Sequence, residues 1–226
     1  VGNGWQTARG VIGTLQRMSP AAPRKHFSMI RSFHLADVFT LANAACGMGG
    51  VFMAMAYLVS HEATQLLAAA AFAPAAFFFD VVDGRVARWR QTSSALGREL
   101  DSLSDVISFG VAPAALAFAS GMAGVWDSLV LAYFVCCGVS RLARYNVTAE
   151  ALSEGSDKVR YFEGTPIPTS VLLTAVLAWA AWHARIGEAL YGGVWTLAGA
   201  DLHPLVLLFA LSGTLMVSKT LHVPKL

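Results

Sequence analysis

Long apolar stretches broken by short polar ones dominate the chain from residue 36 onward. A bilayer core about 30 Å thick takes about 20 helical residues to cross. Six segments have that length and character: roughly 36–59, 63–86, 98–120, 125–146, 167–186 and 203–221. Pro113 falls inside the third, where neighbouring helices in a membrane tolerate a kink, and Pro166 and Pro168 mark the entry to the fifth. The segment 25–34, KHFSMIRSFH, mixes basic and apolar residues just before the first span and reads as an interfacial helix on the membrane surface. The expected architecture is all-α and integral to the membrane, with an N-terminal segment over 1–35 and a six-helix domain over 36–226. No cleavable signal peptide is expected, because mostly polar residues fill the chain up to the first apolar stretch.

The basic residues orient these spans. Six crossings put both termini on one side, and that side then receives Arg9, Arg17, Arg24, Lys25 and Arg31, then Arg85, Arg88, Arg90 and Arg98. It also receives Arg141, Arg144, Lys158 and Arg160, and finally Lys219 and Lys225, whereas the far side receives only Arg185. An asymmetry of fifteen of the 16 basic residues against one places the basic side in the cytoplasm. Trp126, Trp179, Trp182 and Trp195 gather near the far interface as an aromatic belt, with His183 and His203 beside them as interfacial residues. Asp127 reads as a helix start.

Composition agrees with the span pattern. Hydrophobic residues make up 56% and charged residues 13%, about half the charged share of a soluble domain. The net charge of +2 gives no general attraction to nucleic acid, so no nucleic-acid partner is expected. Cys46, Cys136 and Cys137 sit in apolar runs without metal-site or disulfide spacing and read as packing residues.

Against this apolar background, four carboxylates gather where the second and third spans meet the cytoplasm. Asp80 and Asp83 are three residues apart and Asp101 and Asp105 four apart, so each pair shares a helix face, and a short connection lets the pairs face each other. Four acids at one membrane depth repel unless compensated, and intramembrane acids usually mark function. All-oxygen ligands favour Mg²⁺, Mn²⁺ or Ca²⁺ over zinc. Two such ions close together suit phosphoryl transfer, because they clamp the phosphate and the departing oxygen. Gly84 and Ala87 continue the aspartate face with almost no side chain, so a flat nucleotide can approach the backbone, and Gly97 does the same before Asp101. Arg88 offers a planar fork for a diphosphate.

The run Asp80-Val-Val-Asp83-Gly84-Arg-Val-Ala87-Arg88, followed by Gly97-Arg-Glu-Leu-Asp101-Ser-Leu-Ser-Asp105, resembles the signature of the CDP-alcohol phosphotransferases at every motif position. The resemblance covers roughly residues 36–221. It implies six helices around a polar cavity open to the cytoplasm, and two divalent ions, Mg²⁺ or Mn²⁺, held by Asp80, Asp83, Asp101 and Asp105. It further implies Asp105 as general base, CDP contacts from Gly84, Ala87, Arg88 and Gly97, and a homodimer. Thr40-x2-Asn43-x3-Gly47 in the first span resembles a family pattern near the nucleotide, which makes Thr40 and Asn43 candidate CDP-diacylglycerol contacts.

The motif does not choose the acceptor. Ser108-Phe-Gly-Val-Ala-Pro113, Arg141-Leu-Ala-Arg144-Tyr-Asn146 and Gly164-Thr-Pro-Ile-Pro168 resemble the branch of the family that uses L-serine. Thr165 and Tyr145 depart from it, standing where leucine and phenylalanine are common. Serine brings a carboxylate, and Arg141 and Arg144 share a helical face, so one suits that carboxylate and the other a lipid phosphate. Asn146 reads either as a helix cap or as a substrate contact. The expected reaction transfers a phosphatidyl group from CDP-diacylglycerol to L-serine at the cytoplasmic membrane. Inositol phosphate, glycerol phosphate and choline stand as alternative acceptors. A cation transporter is the rival of another class, and it requires acids spread through the membrane depth.

Overall fold

Uninterrupted apolar runs with good helix formers leave the backbone one way to satisfy its polar groups in lipid, the α-helix. The computed structural model describes residues 35–90, 95–153, 161–218 and 222–224. The expected interfacial helix over 25–34 lies outside them. The helices are α1 (Leu35–Ser60), α2 (Ala63–Arg90), α3 (Ala95–Asp105), α4 (Ala112–Ala119), α5 (Val125–Ser153), α6 (Val171–Trp182) and α7 (Leu207–Val217). A π-helical stretch, Val106–Val111, joins α3 to α4, so they form one long irregular helix.

Among the described residues, four helical stretches are long and apolar enough to cross a membrane: Ala36–Ser60, Ala63–Trp89, Leu96–Ala119 and Val125–Thr148. They match the first four expected spans, with α2 and α5 running further than the apolar pattern alone. The last two expected spans correspond to shorter apolar helices, Ile167–Trp182 and Pro204–Val217. The fifth stops at Trp182 because Ala184 turns into the left-handed region, and the last stops at Val217, where Ser218 is extended. Phe52, Phe78, Leu172, Trp179 and Trp182 are all more than half exposed. Such an apolar exterior is at home in lipid.

Two short sheets qualify the all-α expectation. β1 (Tyr161–Glu163) pairs antiparallel with β4 (His222–Pro224), and β2 (Trp195–Leu197) with β3 (Ala200–Leu202). The second is a two-residue hairpin whose turn residues, Ala198 and Gly199, both have positive φ, 52° and 81°. That is the geometry of a type I′ turn.

The tightest packing lies around α1. Its contact with α2 is the most extensive between helices, and it also touches α3, the π-helical stretch and α4. Gly47 permits the close approach to the π-helical stretch: a Cβ there would lie 2.5 Å from Ser108 Oγ and 2.7 Å from its Cα. Ser108 Oγ in turn donates to the Asn43 carbonyl at 2.8 Å. The kink expected at Pro113 is resolved by the wide turn just before it. The Ala112 N–H bonds to Ile107 O, five residues back, and the broader turn makes room for a proline ring that cannot donate.

Candidate metal and nucleotide site

The acids converge at the end of the bundle where α2 finishes and α1 and α3 begin. One carboxylate oxygen each from Asp80, Asp101 and Asp105 lies within 4.8 Å of the others. Asp105 is buried, and Asp80 and Asp101 are half-buried. Asp101 Oδ1 is shut away from solvent with no hydrogen-bond partner. Buried polar atoms are rarely left unpaired. A carboxylate oxygen unpaired among two other carboxylates fits a hard divalent cation, for which an all-oxygen set is suited.

Asp83 is outside that 4.8 Å group but within electrostatic reach of all three. Its Oδ2 lies 2.8 Å from Thr40 Oγ1 on α1, and the same hydroxyl is 3.1 Å from Ala36 O. Three of the four expected acids thus meet within 4.8 Å, and the fourth lies beside them with a hydrogen bond to α1. Asp37, also buried, is within electrostatic reach of Asp83. No motif marks this fifth acid in the sequence, although its spacing to Thr40 and Asn43 on the same helix is a usable signal.

Thr40 and Asn43, expected near the nucleotide, have their side chains on the acids. Asn43 Nδ2 donates to Asp105 Oδ1 at 3.2 Å, and Asn43 Oδ1 is buried without a partner. Thr40 and Asn43 are both buried, so their geometry is set by packing.

The small residues of the motif leave space. A Cβ at Gly84 would meet nothing within 4 Å, so its backbone is open on that side. Ala87 and Gly97 are half-buried, and Arg88 is exposed with its Nε donating to Gly84 O at 2.9 Å. Arg88 thus lies back along its own helix, next to the open backbone.

On α5, Arg141 and Arg144 are half-buried. Arg141 lies within electrostatic reach of Asp105, and its Nε is buried without a partner. Asn146 does not cap α5, which continues to Ser153. Its carboxamide instead meets Ser102 and Glu99 on α3.

The far end is more polar than the sequence reading had it. His203, expected at the interface, is buried against Asp127. Its backbone N–H donates to Asp127 Oδ1 at 2.8 Å, and its Nδ1 lies 2.7 Å from Oδ2. Asp127 does start α5, accepting the Gly124 N–H at 3.2 Å. The carboxylate is fully enclosed, and its bonds to Gly124 and His203 fasten a loop to a helix start. His183 and the four tryptophans are exposed, as expected of an interfacial belt.

A family model described as CDP-alcohol phosphatidyltransferase matches residues 33–214. The chain is 40% identical over 203 residues to the CDP-diacylglycerol–serine O-phosphatidyltransferase of Saccharomyces cerevisiae, covering 88% of this chain and 74% of that protein. It is 36% identical over 142 residues to the protein of that name from Helicobacter pylori, and 32% identical over 167 residues to that of Mycobacterium bovis. Those alignments cover 62% and 73% of this chain, but only 55% and 54% of the two bacterial proteins.

Proposed function

The chain belongs to the CDP-alcohol phosphatidyltransferase family, and from that premise we propose that it transfers a phosphatidyl group from CDP-diacylglycerol to L-serine, releasing CMP. The observation that carries this reading is the meeting of Asp80, Asp101 and Asp105 within 4.8 Å at the end of two apolar helices. The serine acceptor is supported by the relatives, which carry that substrate in their names.

In the proposed reaction the serine hydroxyl attacks the phosphorus bearing diacylglycerol. The new P–O bond forms as the bond to CMP breaks, and the hydroxyl proton passes to Asp105. Asp80, Asp83, Asp101 and Asp105 would hold two divalent ions, Mg²⁺ or Mn²⁺. Such ions, when bound, stabilise charge on the transferring phosphoryl group and the leaving oxygen. Asn43 fixes the orientation of Asp105, and Thr40 that of Asp83. The open backbone at Gly84, with Ala87 and Gly97, admits the cytidine face, and Arg88 swings from its own helix to the diphosphate. Arg141 and Arg144 divide the acceptor carboxylate and the lipid phosphate between them. Orientation and fixed charge supply most of the acceleration, and no covalent intermediate is needed.

In the same reading the two shorter apolar helices complete six crossings around a polar cavity open to the cytoplasm, and the chain works as a homodimer in the cytoplasmic membrane. The basic asymmetry supports that orientation. The lipid tails of the donor stay in the bilayer while its head enters the cavity. The test is a comparison of radiolabelled L-serine, inositol phosphate, glycerol phosphate and choline, each supplied with CDP-diacylglycerol and Mn²⁺ to purified protein. Label from serine in the lipid fraction is expected. Label from another acceptor and none from serine would overturn the choice.

A further inference from the structure

Asn146 lies near the end of α5 and reaches across to α3. The Ser102 hydroxyl donates to its Oδ1 at 3.2 Å and lies 3.0 Å from its Nδ2. The same Nδ2 donates to Glu99 Oε1 at 3.3 Å. Glu99 and Ser102 are three residues apart on one face of α3, Asp105 is three beyond Ser102, and Asp101 lies on the same turn. A single carboxamide therefore grips the turn that carries the acids. Leu100 is the apolar anchor of that turn and is half-buried, while Leu96 and Leu103 on either side are exposed at 37% and 62%. The same α5 carries Arg141, which lies within electrostatic reach of Asp105.

We propose that Asn146 is a positioning residue: by bridging Ser102 and Glu99 it sets where Asp101 and Asp105 stand relative to Arg141. This rests on the phosphatidyl-transfer reading above. It differs from the alternative role of Asn146 as a contact to the acceptor, because the residue acts through α3. A donor–acceptor bridge holds rotation and height together, whereas an apolar contact restrains the start of α3 less tightly. Loss of the bridge then lowers the fraction of molecules with the acids aligned, which reduces turnover and cation affinity together. Binding of serine, read by its KM, stays nearly constant.

The test is a double-mutant cycle on the full chain in lipid nanodiscs, reading kcat and KM for serine and the affinity for Mn²⁺ by electron paramagnetic resonance. Asn146→Leu is expected to lower kcat about tenfold and Ser102→Ala about threefold, as for loss of hydrogen bonds of this kind. The double variant is expected to match Asn146→Leu within about twofold, since both changes remove one bridge. Mn²⁺ affinity falls in parallel, and KM for serine changes by less than about twofold. Asn146→Asp with Glu99→Gln exchanges donor and acceptor at unchanged total charge, and is expected to recover at least about a third of kcat. Losses that multiply in the double variant, or a loss confined to KM for serine, would overturn the proposal. Should Asn146→Leu fail to fold, Ser102→Ala and the exchanged pair carry the same test. Should the wild-type chain not use serine, the acceptor choice fails, and the Mn²⁺ affinities of the same variants still decide the bridge.

Discussion

Asn43 on α1 donates its side-chain amide to Asp105 on α3 across 3.2 Å, and the other half of that amide is buried with no partner. One oxygen of Asp105 is thereby held, which restrains the carboxylate that meets Asp80 and Asp101. Replacing Asn43 by Ala removes that restraint and is expected to lower kcat about 10- to 100-fold, the worth of one charge-assisted hydrogen bond. Steady-state CMP release by variant and wild type, with helical content checked by circular dichroism, measures it.

Gly84 separates packing from binding. A Cβ there meets no protein atom within 4 Å, and Ala in place of Gly within a helix stabilises by about 0.5–1 kcal/mol. Gly84→Ala is therefore expected to melt no lower than wild type, yet to raise KM for CDP-diacylglycerol about tenfold if the nucleotide lies on that backbone. Melting in detergent and initial rates over a range of donor concentration check both halves.

Gly47 makes the opposite case. A Cβ at that position would fall 2.5 Å from Ser108 Oγ, with Ser108 backbone atoms almost as near. Gly47→Ala has to push α1 away from the π-helical turn and is expected to destabilise by about 1–3 kcal/mol. Because Asn43 lies one turn away on the same helix, turnover falls as well. Thermal melting and kcat of the purified variant test this together.

The Asp127–His203 pair at the far end serves stability. His203→Ala leaves a fully buried carboxylate with one partner fewer, which costs about 1–3 kcal/mol, while the acid site lies at the opposite end of the helices. A lower melting temperature with kcat within about twofold of wild type is expected.

Much of this was legible in the sequence. The apolar pattern located the first four membrane helices, because lipid enforces a length and a composition together. The spacing of Asp80 and Asp83, and of Asp101 and Asp105, puts each pair on one helix face, because helical periodicity fixes faces, and one oxygen each of Asp80, Asp101 and Asp105 lies within 4.8 Å of the others. What periodicity does not carry is which neighbour a side chain chooses. Asp83 accepts a hydrogen bond from Thr40, a contact between residues 43 positions apart. Asn146 meets Ser102 across 44 positions, and His203 meets Asp127 across 76. The β2–β3 hairpin escaped notice because Ala198 adopts a positive φ that its identity does not advertise. The last two apolar helices came out shorter because their ends are set by local turns at Ala184 and Ser218.

The central claim is that Asp80, Asp83, Asp101 and Asp105 jointly hold divalent ions beside the lipid nucleotide. Diffraction at the manganese absorption edge, from crystals soaked with Mn²⁺ and CDP-diacylglycerol, tests it most directly. The account predicts two anomalous peaks between these four carboxylates, next to the diphosphate. A bound nucleotide with no anomalous density among the four acids would contradict it.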